Sequence, residues 1–431
     1  MRRPAAGEAL LLPLLLLLQG GCTTRDRLNP LDPHNSRTSG RIPGFNAVAA
    51  DDVVELSWTA LTQEGVVGYR VLRWKPGSAP VPLGSSDYGP GAVAAEDRGV
   101  VNDSTYVYRL VAHLASGDSA VSEPDSATPG TRRIVALGGE DVALAGFSPD
   151  LRDEIFGVGA SSSYLDMDVD RKTGTIWAAA DFVTGGEIVR YLLNGTLLDG
   201  AASVLRPTDI SVSGNRGVAW VASPDEGAVV AFAPSFPDPS ELARITAVGH
   251  PLSVAAGTLD ASVWFGTEEG MVYRVRPTDL SIVGSWNLGA PIRVIALDQA
   301  AGAAWVAVRT DPRFHDLYRI TELDSSAVRV RTGLDNIADL SVDPPSGAVW
   351  VSERGVPNAG AGGLERISRD GAEELSVGGL EPYGIDVDQK DGTCWVTDLR
   401  SNRIMHMARD GAVLRASPTL PVPYAVRVLA P

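Results

Sequence analysis

Apolar and polar residues alternate in short runs along most of this chain, and the runs recur with a long period. LDMDVD, DISVS, ADLSVD and GIDVD each end seven residues before a tryptophan, at Trp177, Trp220, Trp350 and Trp395. Alternation at period two predicts strands with one buried face. The tryptophan opens a second run, as in IWAAAD, AWVASPD, VWFGTEE, AWVAVRT, VWVSERG and CWVTDLR. Trp177, Trp220, Trp264, Trp305, Trp350 and Trp395 follow one another at intervals of 43, 44, 41, 45 and 45 residues. A third run begins about ten residues later (GEIVRYLLNG, GMVYRVRP, GGLERISRDG, RIMHMARDG), and a weaker fourth follows, as in GAVLRAS. Gly-rich and Asp-Gly turns between the runs suit hairpins.

Four antiparallel strands in roughly 40–45 residues make one blade of a β-propeller, so the expected fold class is all-β. The two ends of the repeat give the blade count. Pro423-Tyr424-Ala425-Val426-Arg427-Val428 matches Pro382-Tyr383-Gly384-Ile385-Asp386-Val387, 41 residues earlier, and is a first strand with no later strands of its own. Ile134, 43 residues before Trp177, lies in RRIVALGG, a second-strand pattern with no first strand before it; DVALAGF and DEIFGVG supply the third and fourth. The C-terminal strand is therefore expected to complete the N-terminal blade, giving seven blades and hiding the open edges. The alternative is six blades with residues 131–160 as an irregular cap.

Residues 131–431 resemble bacterial propellers of the NHL, YVTN and streptogramin-lyase type, most closely over EPYGIDVDQKDGTCWVTDLRSNRIMHMARDG. The resemblance implies a fold rather than an activity, because this architecture hosts hydrolases, lyases and binding modules. Residues 42–130 show shorter alternating runs (VVELSWTA, GYRVLRW, TYVYRLVAHL) that predict a separate β-sandwich. Pro43, Trp58 in the second strand, Tyr69 in the third, and Tyr106 and Tyr108 in the sixth resemble a fibronectin type III domain. That resemblance implies a Trp58 core plug, a corner hydroxyl from Tyr106 or Tyr108, and a spacer or docking role.

At the N-terminus, Arg2 and Arg3 precede Leu10–Leu18, an apolar segment too short to span a bilayer. Residues 1–21 resemble a bacterial lipoprotein signal, with Gln19 in place of the usual leucine. Cys22 is then the acylated residue, and residues 22–41 form a Pro-, Asn- and Ser-rich tether. Thr23 is not the aspartate of an inner-membrane retention signal, so the expected location is the cell envelope, with the outer membrane favoured. Lipidation of Cys22 leaves Cys394 alone, expected as a buried small apolar residue.

The net charge of −16 and the absence of a basic run after residue 3 argue against nucleic-acid partners. Tryptophans in one register are expected to pack between blades rather than bind ligand. Two columns on the first strands face the central channel: Asp166, Asp209, Ser253, Val294, Asp339, Gly384 and Ala425, then Asp168, Ser211, Ala255, Ala296, Ser341, Asp386 and Arg427. Met167, Ile210, Val254, Ile295, Leu340, Ile385 and Val426, between them, are expected core. Converging Asp166, Asp209 and Asp339 are a candidate Ca²⁺ site through hard oxygen ligands; alternatively they are solvated, or pair with Arg427. If no ion binds, replacing the three by alanine is expected to leave stability nearly unchanged.

Lactonase-like propellers place Glu, Asn and Asp metal ligands at a column that here reads Leu165, Thr208, Leu252, Arg293, Ala338, Tyr383 and Tyr424, without a carboxylate or amide. Streptogramin-lyase-like propellers need a base at the channel mouth, and His250 is the candidate in the right place; His113 falls in the sandwich, His315 in a loop and His406 in a third strand. No G-x-S-x-G, H-E-x-x-H or P-loop motif occurs. The expected role is a monomeric, lipid-anchored, non-enzymatic binding or scaffold module for a protein, peptide or glycan. The alternative is a metal-dependent hydrolase or lyase.

Overall fold

The computed structural model describes residues 31, 40–61, 65–139, 141–159, 163–182, 185–198, 202–214, 217–234, 239–246, 248–257, 262–322, 326–356 and 362–429. Residues 1–21, expected to be a signal, Cys22 and nearly all of the expected tether lie outside them. Strands dominate the described chain, and one short 3-10 turn, Gln299–Ala301, is the sole helical element among these residues.

Residues 133–429 form seven four-stranded antiparallel sheets. Blades 2 to 7 each run outward in chain order; their first strands are Ser163–Asp170, Asp209–Ser213, Pro251–Ala256, Ile292–Asp298, Ile337–Val342 and Pro382–Val387. Blade 1 is assembled from both ends of the repeat. Its second to fourth strands are Arg133–Leu137, Val142–Phe147 and Glu154–Gly159, and Ala425–Leu429 pairs antiparallel with Arg133–Leu137 as the innermost strand. The chain is a seven-bladed β-propeller closed by its C-terminal strand, as the repeat arithmetic predicts.

Packing explains the period. All six repeat tryptophans are at most 3 % exposed. Each lies in the apolar cluster between its own blade and the next: Trp177 against Ile210 and Val221, for example, and Trp395 against Val426 and Val428. The seam between blades 1 and 2 has no tryptophan and uses Tyr164, Met167 and Tyr191. The third strand adds a feature that the repeat alone did not reveal. Opposite Trp177, Trp264 and Trp305 stand Arg190, Arg274 and Arg319, with guanidinium carbons 5.0, 5.8 and 5.9 Å from the ring centroids. Opposite Trp395, His406 stacks at 3.9 Å. Cations over indole faces add electrostatic attraction to buried area.

Residues 42–127 form two sheets over one core, one of Asn46–Ala50, Val53–Ser57 and Ala94–Asp97, the other built on Val66–Trp74 and Tyr106–Leu114. Trp58 sits one residue beyond its strand rather than inside it, and packs at 5.7 Å from Tyr69 and 5.8 Å from Tyr88. The Tyr106 hydroxyl accepts the Val101 N–H at 3.0 Å, while Tyr108 donates to Asp97 at 2.9 Å.

The sandwich meets one rim of the propeller, the lower rim, where first strands end. Arg132 bonds the buried Asp388 at 2.6 Å, contacts Asp391, and reaches Asp103 of the sandwich at 3.5 Å. Asp150 accepts the Thr128 N–H at 2.8 Å, and Arg152 pairs with Asp125 at 2.9 Å. The upper rim, where first strands begin, faces away from these contacts.

Candidate functional site

The first strands surround a cavity of about 590 Å³ that runs along the propeller axis. Its upper mouth is ringed by Leu165, Thr208, Leu252, Arg293, Ala338, Tyr383 and Tyr424, the column that the repeat alignment singles out. Asp166, Asp168, Asp209, Asp339, Asp386 and Arg427 line it below. Met167, Ile210, Val254, Ile295, Leu340, Ile385 and Val426 are 0–6 % exposed, as expected of core.

The carboxylates have a defined task. Asp166 accepts the N–H of Ile210 at 3.3 Å, Asp168 that of Val212 at 2.7 Å, and Asp209 that of Val254 at 2.8 Å. Asp339 accepts from Ile385 at 3.1 Å and Asp386 from Val428 at 2.8 Å. Ser211 and Ser341 do the same for Ala256 and Val387. Every one of these bonds joins a first strand to the first strand of the next blade, satisfying N–H groups that no sheet partner reaches. Alanine at Asp166, Asp209 and Asp339 would therefore orphan backbone donors whether or not an ion binds. The expectation of unchanged stability is corrected on that ground.

Arg427, on the closing strand, stands among the carboxylates. Its guanidinium nitrogens lie 3.6 Å from Asp166, 3.6 Å from Asp168 and 3.9 Å from Asp339. Burial lowers its proton affinity, but Asp166, Asp339, Asp168 and Asp386 together hold it above the ordinary arginine value. Burial raises Asp168 despite Arg427. Asp209 is held well above the usual range by burial and by its hydrogen-bonded neighbour Asp166, and Asp339 is pushed up to about 6 by burial. No group of three or more His, Cys, Asp or Glu side chains with metal-holding geometry occurs among the described residues.

His250 is on the upper rim but outside the channel lining. Its Nδ1 is 2.6 Å from Glu269 Oε1, and its backbone N–H also donates to Glu269. The hydrogen bond raises His250; burial opposes the ionised Glu269, but the bonds from His250 win and bring it down to about 2. His315 corrects the sequence reading, since it lies in the strand Phe314–Thr321 and is 2 % exposed rather than in a loop. Cys394 is buried, as expected.

No protein-family model matches the chain, and no curated protein matches it in sequence. Its likeness to solved structures is one of shape. Hydrazine synthase from Kuenenia stuttgartiensis aligns with a TM-score of 0.53 at 12 % identity, over 62 % of this chain and 90 % of that one. A protein described as a candidate 6-phosphogluconolactonase from Bacteroides fragilis aligns at 0.52 and 11 % identity, over 69 % and 98 %. These neighbours share the propeller fold. Identities this low carry no activity across, because one fold serves many chemistries.

Proposed function

We propose that this protein is a lipid-anchored component of the bacterial envelope whose propeller is a non-enzymatic binding module. The carrying observation is that the channel carboxylates are already engaged, by the backbone of the neighbouring blade and by Arg427. A hydrolytic metal centre needs free carboxylates or imidazoles with an open coordination position, and the mouth column offers none. The cation of the channel, on this reading, is the protein's own arginine rather than Ca²⁺.

The fibronectin type III-like sandwich serves as the spacer, and Cys22 as the lipidated anchor. The arrangement suits presentation. With the sandwich against the lower rim, the upper rim and channel mouth are directed outward from the tether, toward a protein, peptide or glycan partner. The test is a melting curve of the full-length protein in EDTA and then in Ca²⁺, Mg²⁺ or Zn²⁺. A metal that binds only the folded state must raise the melting temperature by mass action. No metal-specific rise is expected; a rise abolished by Asp166→Asn with Asp339→Asn would restore the metal-dependent hydrolase or lyase.

A further inference from the structure

Blade 5 delivers three basic side chains to one end of one sheet. Arg293 comes from a bulge in the first strand, between the pairs Ile292–Val308 and Val294–Ala307. Arg309 ends the second strand, and His315, directly opposite it in register, is the second residue of the third. Directly opposed residues of an antiparallel pair share a face. Neither guanidinium has a hydrogen-bond or ion-pair partner among the described residues. Most other arginines near this mouth are neutralised: Arg313 bonds Asp335 at 2.7 Å, and Arg354 lies 3.4 Å from Glu381.

His315 sharpens the contrast. Neither ring nitrogen makes a hydrogen bond of normal geometry among the described residues. Burial first, then the charges of Arg293 and Arg309, bring its proton affinity down to about 4, although the Arg313 carbonyl and Asp311 pull the other way. Burial and the two guanidinium charges thus act together to keep the imidazole neutral, and among the described residues no carboxylate forms an ion pair with Arg293 or Arg309. Asp311 is nearby, but its Oδ1 accepts the N–H groups of Arg313 and Phe314.

The loops between second and third strands carry Asp225, Glu226, Glu268 and Glu269 on blades 3 and 4, whereas that of blade 5 carries both Asp311 and the paired Arg313. Around the mouth, Ala338 alone separates Arg293 from Tyr383, whose ring lies under Arg354 at 5.5 Å. The small alanine leaves a notch between one cation and a phenol.

We propose that this notch binds the carboxylate or phosphate group of a small ligand, with Arg293 as the principal contact, Arg309 reinforcing the field and Tyr383 donating from the far side. The cavity below, about 590 Å³, is of the size that small-molecule sites occupy. Arginine suits the task because its planar fork meets an oxyanion with two parallel hydrogen bonds. This proposal rests on the binding-module reading and adds a small-ligand site at the same mouth to the protein, peptide or glycan partner.

The experiment is calorimetric titration of the full-length protein with inorganic phosphate and with citrate, at constant ionic strength balanced by chloride. Saturable one-to-one binding of at least one oxyanion is expected, with none for chloride. Arg293→Gln should weaken it about ten- to a hundredfold, the loss expected when one charged hydrogen-bond donor is removed. Arg293→Lys should recover part of the affinity, and Arg309→Gln should weaken it less. Arg276→Gln, an exposed change on the lower rim, controls for net charge and should leave affinity unaltered. Absence of saturable oxyanion binding, or binding indifferent to Arg293→Gln in a protein that melts normally, overturns the proposal. Either result leaves the metal titration and partner capture from envelope extracts to judge the binding-module reading separately.

Discussion

Arg427→Met tests whether the channel is held by an internal cation. The substitution keeps most of the side-chain volume and removes the charge. Three carboxylates lie 3.6–3.9 Å from the guanidinium, whose side chain is 18 % exposed. At an effective dielectric near 20 each such pair attracts by about 4 kcal/mol before desolvation is counted. Desolvation offsets much of this, so the net cost expected is that of breaking a buried ion pair, about 3–5 kcal/mol. For a propeller of roughly 300 residues, that corresponds to a fall in melting temperature of about 5–8 °C.

The pH dependence separates charge from packing. Asp339, raised to about 6 in the folded state, binds its proton more tightly there than in the unfolded chain. Its contribution is therefore fully present below the unfolded value and lost as pH rises through about 6. Removing Arg427 raises the channel carboxylates further, so the variant's deficit should shrink near pH 5 and be largest above pH 7. Thermal melts of both proteins between pH 5 and 8 read this directly. A deficit below about 1 kcal/mol, or one constant across that range, would refute the internal-cation account.

Other outcomes follow from the same contacts. Asp168→Ala strands the Val212 N–H and should cost about 1–3 kcal/mol, whereas Asp168→Asn retains an acceptor and should cost less; chemical denaturation distinguishes them. Gly384→Ala places a methyl group 2.6 Å from Ala425 Cα and 2.7 Å from the Tyr424 carbonyl, so it should push the closing strand outward and lose about 1–3 kcal/mol; unchanged protection of Val426 and Val428 amides in hydrogen exchange would contradict this. Arg132→Ala leaves the fully buried Asp388 unpaired and frees the sandwich from one of its ties, so limited proteolysis should cut between residues 128 and 133 faster than in the parent.

The blades were legible because packing imposes a period. A tryptophan at six of the seven inter-blade seams, with alternating core positions on the first strand, leaves a mark that a single sequence displays. The closing strand was legible for the same reason, since a first-strand pattern without successors has one place to go. The aspartate columns were visible as columns, but their role was not: a carboxylate accepting an N–H from a strand 44 residues away looks in sequence like one waiting for an ion. Arg293, in the mouth column, drew attention only as a missing ligand. Its significance depends on Arg309 and His315 arriving beside it from adjacent strands, and on Arg313 and Arg354 being neutralised elsewhere. The tie between Arg132 and Asp388 spans 256 residues and follows no repeat.

The position of Arg427 also orders the birth of the ring. Ala425–Leu429 is the last described strand and pairs with one nearly 290 residues earlier, a contact of the kind that forms slowly. Until it docks, blades 2 to 7 gather channel carboxylates around an axis that lacks Arg427 and has Arg171, 3.6 Å from Asp386, as a partial counter-charge. That crescent resists its own closure, by mutual repulsion that salt or mild acid would relieve. Assembly thus has a late gate whose key is carried on the final strand. Refolding rate, unlike final stability, should climb with ionic strength in the native protein.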